Sequence, residues 1–325
     1  MAGRRVLYSS PYVPAEFIAA HGLQPYRVFP ARHARAFGSG ANEGLCPYAK
    51  AFVEEAASDA DAAVIFATTC DQMRRASEPA QAPGRPPFVF NVPATWQSAT
   101  AQATYRAELE RLGRFLVRLG GAAPVPGQLA ATMLQYDGAR ASLRAARSDA
   151  RALEAAEALV ALYQGTEPRA SASGGAAASG PRLALLGGPL FRDQFSLYDD
   201  LEAAGARIVL DATETGERTL PAAFDPAAVR ADPLGELARA YFGHIPDVFR
   251  RPNDGLYAWL ARELAARRVQ GVLLLRCVWC DLWHAEAPRL KERLGLPVVE
   301  LDPSSAVPAA PRTQARVQAM LEIFT

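Results

Sequence analysis

Apolar residues fall along this chain in two alternating rhythms. Short runs of four to eight, rich in Val, Ile, Leu and Phe, predict buried strands, while longer stretches with apolar positions three and four apart predict helices. In the first half the strands are expected at RRVLYSS (4–10), QPYRVF (24–29), AAVIFATT (62–69) and PPFVFNVP (86–93). PAEFIAAHG (14–22), ending on Gly22, and CPYAKAFVEEAAS (46–58), with Pro47 in the first turn, read as helices. CDQMRRASEP (70–79) reads as a helix start, and three long helical patterns follow between 104 and 165. The rhythm returns with strands at RLALLGGP (182–189), RIVLDAT (207–213), VLLLRC (272–277) and PVVELD (297–302). Helical patterns at 196–206, 233–243, 255–271, 287–295 and 311–324 separate and close them. Strands alternating with helices predict an α/β protein: two Rossmann/flavodoxin-like domains, each a parallel sheet of about four strands flanked by helices.

Between the halves lies ASASGGAAASG (170–180), whose composition is that of a flexible linker. The expected division is a domain at 1–168 with trailing helices, a linker at 169–181 and a second domain at 182–325. The length of 325 residues and the 50% hydrophobic content agree with this, since one core stops growing near that size. A net charge of +1, with no basic tail, argues against nucleic acid and anionic membranes as partners. Neither a secretory h-region near the start nor an apolar run of about 18 residues is present, so a cytoplasmic location is expected. Stable disulfides are rare there. Four cysteines in such a chain point to metal or redox chemistry.

All four cysteines fall at the carboxyl end of an expected strand or the start of an expected helix. Cys70 follows AAVIFATT, Cys277 and Cys280 follow VLLLR, and Cys46 opens a helix after the Gly-rich FGSGANEG. Ligands of open α/β sheets bind at that edge. Helix N-termini there are expected to lower thiol pKa values. Three chemistries use the Cys-x-x-Cys of CVWC. A zinc site with four cysteines usually draws on two close pairs, and here only one pair exists. A thioredoxin-like dithiol leaves Cys46 and Cys70 unexplained. An iron–sulfur cluster suits three or four thiolates converging across a cleft.

Several segments, spread over nearly the whole chain, resemble one family. They are YSSPYVPAEFIAAHGLQPYRV, GLCPYAKAF, TTCDQMRR, RLALLGGPL, SLYDDLEAAGARIVLDATETGER, WCDLWHAEAPRLKERLGLPVVELD and PRTQARVQAMLEIF. Their order and spacing match the D-component family of 2-hydroxyacyl-CoA dehydratases, which includes subunits of ATP-dependent benzoyl-CoA reductase and the double-cubane cluster proteins. The resemblance implies a [4Fe–4S] cluster on Cys46, Cys70 and Cys280, or a double-cubane [8Fe–9S] cluster. Cys277 departs from the family pattern; a fourth ligand, a thiol near the cluster and a bystander are the readings open for it.

It further implies an oxygen-sensitive, low-potential radical enzyme, either an (R)-2-hydroxyacyl-CoA dehydratase or an aryl-CoA reductase. The implied partners are a homologous sister subunit, or a second copy of this chain, and an ATP-dependent activator carrying its own [4Fe–4S] cluster. In that scheme the carbonyl of an acyl-CoA or aryl-CoA thioester takes up single electrons. A double-cubane reductase or electron-transfer protein without a CoA substrate is the alternative. His284, four residues after Cys280, is the one candidate proton donor. Asp71 and Asp281, each following a cysteine, are expected to cap helices. Arg276, Arg74 and Arg75 are candidates for phosphate or partner contacts. The glycines of LLGGP match neither a P-loop nor a dinucleotide fingerprint, so no ATP or NAD site is expected.

Overall fold

A computed structural model describes residues 3–32, 44–81, 85–147, 150–166, 180–302 and 311–324. The low-complexity stretch expected as a linker lies outside the described residues, apart from its last residue, Gly180. Among the described residues eight strands form two sheets: β1 (Arg5–Tyr8), β2 (Gln24–Arg27), β3 (Ala63–Ala67), β4 (Phe88–Phe90), β5 (Arg182–Gly187), β6 (Arg207–Ala212), β7 (Gly271–Leu275) and β8 (Val298–Leu301). Their orders are β2-β1-β3-β4 and β6-β5-β7-β8, and every pairing is parallel. The predicted pair of four-stranded α/β sheets is what the chain forms.

The strands read as unbroken apolar runs because both faces of each sheet are covered. Alternation sorts the side chains. Val6, Tyr8, Ile65, Leu183, Leu185, Leu273 and Leu275 enter one large core shared by the two sheets. Leu7, Val64 and Phe66 face the other way, onto helix Pro47–Ser58. Ala184, Leu186, Val272 and Leu274 pack against residues of helices Asp254–Ala266 and Asp281–Arg293. A two-residue period in a strand dictates this division.

Two elements depart from the sequence reading. Helix Asp281–Arg293 starts six residues before the expected 287, because it runs through Pro288. That proline is on the exposed side of the helix, where the carbonyl it leaves without an N–H partner can turn to water. The pattern at 233–243 breaks into helix Pro233–Leu237 and a wider π-type turn, Ala238–Phe242. This turn directs Tyr241 and Phe242 into the shared core.

Polar ties cross between the sheets inside that core. Glu16 and Arg140 are both fully buried and 3.1 Å apart. Tyr241 donates its hydroxyl to the other oxygen of Glu16 at 2.7 Å. Removing one member of such a pair leaves a buried charge uncompensated. Glu16→Ala is therefore expected to cost about 3–5 kcal/mol, read as a lower urea midpoint at unchanged m-value. The double replacement Glu16→Met with Arg140→Met is expected to recover much of that loss.

Candidate functional site

Sheet order creates the site. In each sheet the chain reverses its direction of winding between two neighbouring strands, β1 and β3 in the first and β5 and β7 in the second. Loops leave these strands in opposite directions, opening a crevice at their carboxyl ends. Ser9 and Ser10 follow β1, and Cys70 follows β3 by three residues. Gly188 follows β5, and Cys277 and Cys280 follow β7. The two crevices meet in one cavity of about 270 Å³, whose lining includes Cys46, Cys70, Cys277 and Cys280. Tyr48, Phe249 and Trp283 supply its aromatic walls.

Local structure holds each sulfur. Cys46 is the N-cap of helix Pro47–Ser58, and Ala49 N–H donates to its Sγ at 3.4 Å. Its own N–H donates to Oε1 of Gln72 at 2.8 Å, tying the first cysteine segment to the second. Cys70 and Cys280 are N-caps of helices Asp71–Ala76 and Asp281–Arg293. Cys280 N–H also donates to Cys277 O at 3.1 Å, closing a turn over CVWC. Trp279 in that turn has φ of 67°, a left-handed conformation rare for a bulky residue. Val278 and Trp279 are exposed above the buried Cys277.

The glycine pair of LLGGP acquires a role here. Gly187 has φ of 136°, and a Cβ on it would run into the carbonyl of Leu275 in β7. A Cβ on Gly188 would lie 3.9 Å from Cys280 Sγ. The pair brings β5 close to β7 and leaves room beside the sulfur.

The expected lowering of the thiol pKa values does not occur. Burial pushes the Cys70 and Cys280 thiols up to about 12. It also raises Cys46, and holds Cys277 well above the ordinary range. Backbone N–H groups of Tyr48 and Ala49, of Gln72 and Met73, and of Trp283 pull the other way and are outweighed. A helix N-terminus stabilises a thiolate only when desolvation does not cost more.

Several expected site residues sit elsewhere. His284 is exposed, one turn after Cys280, and is not part of the cavity lining. Asp71 and Asp281 occupy the first helical position rather than the cap, which the preceding cysteine takes. They act on the helix dipole from there. Asp71 pairs with Arg74 at 3.1 Å and Arg276 with Glu300 at 2.9 Å. The sequence reading missed Glu214 and Asp247, both of which line the cavity. Burial first, and Asp247 next, push the Glu214 carboxyl up to about 7. Their one sequence signal was position: Glu214 follows a strand end at DATETGER.

For the metal-free protein, raised thiol pKa values set the sign of the pH dependence. The contribution is complete below the unfolded cysteine value of about 8.5 and is lost as pH rises toward the folded values. Alkylation of Cys70 and Cys280 by iodoacetamide is expected to be slower than for free cysteine at pH 8. Their rates should still be climbing above pH 10, where free cysteine has levelled off; mass spectrometry of each peptide reads this.

Among the described residues, no helix is long and apolar enough to cross a membrane. A comparison with curated proteins found no match. The family model described as 2-hydroxyglutaryl-CoA dehydratase, D-component, matches residues 11–324, nearly the whole chain. With cysteine segments from both halves gathered at one cavity, the chain belongs to the 2-hydroxyglutaryl-CoA dehydratase D-component family and is a component of a 2-hydroxyacyl-CoA dehydratase-type enzyme.

Proposed function

We propose that this chain is the iron–sulfur subunit of an oxygen-sensitive, low-potential enzyme acting on a CoA thioester, with Cys46, Cys70 and Cys280 holding a [4Fe–4S] cluster. The observation that carries this reading is the meeting of cysteines from three separate segments in one cavity at the switch points of both sheets. In this reading the units are 1–168 and 182–325, and the cavity is the cleft between them.

The donor set fits a cluster better than a single ion. Four thiolates around one zinc, at Zn–S of about 2.3 Å, must lie within about 4 Å of each other. Among the described residues, no three His, Cys, Asp or Glu side chains are grouped closely enough to hold one ion. A cluster binds each thiolate to a different iron, so its ligands stand farther apart. Buried, protonated thiols also fit, because metal replaces their protons and removes the cost of burying thiolates.

When bound, the cluster supplies one-electron transfer and a Lewis-acidic iron toward a thioester carbonyl. The chain's own part is positioning and exclusion. Tyr48, Phe249 and Trp283 wall the cavity and keep water from it. The buried guanidiniums of Arg27 and Arg218 place positive charge behind it, against the negative charge of thiolates and cluster. A sister subunit or second copy, and an ATP-dependent activator, complete the proposed electron path.

Anaerobic purification with iron and acid-labile sulfide counted per chain tests the reading. A brown protein with about four of each is expected, losing them when Cys46, Cys70 or Cys280 becomes Ser. About eight irons would replace it with the double-cubane alternative. A colourless protein holding one zinc, or a titratable CVWC dithiol and no metal, would sink it.

A further inference from the structure

A second, larger bowl opens in the C-terminal half, and no step of the proposed chemistry uses it. Its volume is about 600 Å³, in the range of small-molecule sites. It shares no lining residue with the cysteine cavity. Arg218 lines the bowl, while the acid paired with it at 3.2 Å, Asp247, lines the cysteine cavity instead. Three parts of the chain build the bowl. Arg144 and Arg147 come from the end of helix Pro126–Ala146. Glu217 and Arg218 come from the turn after β6. Trp259, Arg262 and Glu263, three and four positions apart, share one face of helix Asp254–Ala266, and Arg267 caps that helix.

The charges in the bowl do not cancel. Five arginines and two glutamates line it, in a chain whose net charge is only +1. Glu217 is already shared, with Arg147 at 3.2 Å and Arg267 at 2.8 Å. Glu263 is shared between Arg262 at 3.1 Å and Arg267 at 3.2 Å. Two carboxylates therefore serve three guanidiniums. Arg144 makes no ion pair among the described residues; its Nη2 donates to Pro221 O at 2.5 Å. The acid that acts on it, Asp137, lies 3.8 Å from Arg140 and accepts from Phe224 N–H. Arg144 and Arg262 are exposed, so a ligand can reach their remaining donors. Guanidinium forks match phosphate oxygens two at a time. Trp259, half-buried in the same lining, adds an aromatic wall on which a planar ring can stack.

We propose that this bowl binds a small molecule carrying a diphosphate beside a planar ring, the chemistry of a nucleoside diphosphate. Arg144, Arg147 and Arg262 hold the phosphates and Trp259 holds the ring. Two sources have this chemistry: a free nucleotide and the nucleotide end of a CoA compound. The arginines are scattered from residue 144 to residue 267, so no phosphate-binding motif marks the site in the sequence. The bowl contains no cysteine, and the proposal does not depend on the cluster reading.

The test is isothermal titration calorimetry on the full chain with pyrophosphate, ADP and CoA, and with sulfate at matched ionic strength. ADP is expected to bind more tightly than pyrophosphate, and both more tightly than sulfate. The double variant Arg144→Gln with Arg262→Gln, at two exposed positions, is expected to weaken ADP and pyrophosphate about tenfold. Arg114→Gln, at an exposed arginine outside the bowl, leaves both unchanged. Trp259→Leu is expected to lower ADP to the affinity of pyrophosphate. CoA binding that exceeds that of ADP and falls in the same double variant assigns the CoA source; tighter ADP assigns the free nucleotide. Absence of binding by ADP and pyrophosphate overturns the proposal, as does an ADP affinity no higher than that of pyrophosphate. Sulfate binding as tightly, or a loss as large in Arg114→Gln as in the double variant, also overturns it, since either reports diffuse charge alone.

Discussion

A single buried guanidinium ties the two halves of the cavity together. Arg27 ends β2, is 2% exposed, and has no ion-pair partner among the described residues. Its Nε donates to Ser9 O at 2.9 Å, in the loop after β1. Nη1 and Nη2 donate to Thr219 Oγ1 at 3.2 Å and Glu214 O at 2.8 Å, across in the loop after β6. Ser9 and Glu214 both line the cavity, so one planar fork sets the distance between its two rims. Arginine suits this task because its donors diverge in a fixed plane. Burying an unpaired cation is expensive, and the charges that offset it are those the cavity concentrates.

That expense and the state of the thiols are two sides of one balance. Four cysteines and the carboxyl groups of Asp71, Glu214, Asp247 and Asp281 line one small, partly desolvated space. With protons as the only available counterions, burial keeps the thiols neutral. In the proposed cluster reading metal takes the place of those protons, and Arg27 and Arg218 would offset the negative charge that then remains. The aromatic walls strengthen every one of these interactions by lowering the local dielectric.

Much of this frame is legible in the amino-acid order. AVIFA and VLLL are too short and too continuously apolar for surface helices, and they became β3 and β7, the central strands beside each switch point. Cys70 and Cys280 were placed by the same logic, since each lies between such a strand and a helical pattern. Pro288 misled because a proline is read as a helix boundary, while an exposed position tolerates the lost hydrogen bond. The thiol pKa values misled because a helix N-terminus is visible in sequence and the depth of burial is not.

What the sequence alone determined, then, is local: strand and helix periods, the α/β class, the cysteines at strand ends and the family that the ordered segments resemble. These follow from the period of the backbone and from residue spacing, which need no distant partner. Only the tertiary structure decided that both switch points open into one cavity, that Arg27 spans it, that His284 lies exposed outside its lining and that Glu214 lines it. Those outcomes join residues far apart in the chain, 192 positions in the case of Arg27 and Thr219. They are set by how two sheets pack over a shared core, and no local pattern encodes that packing.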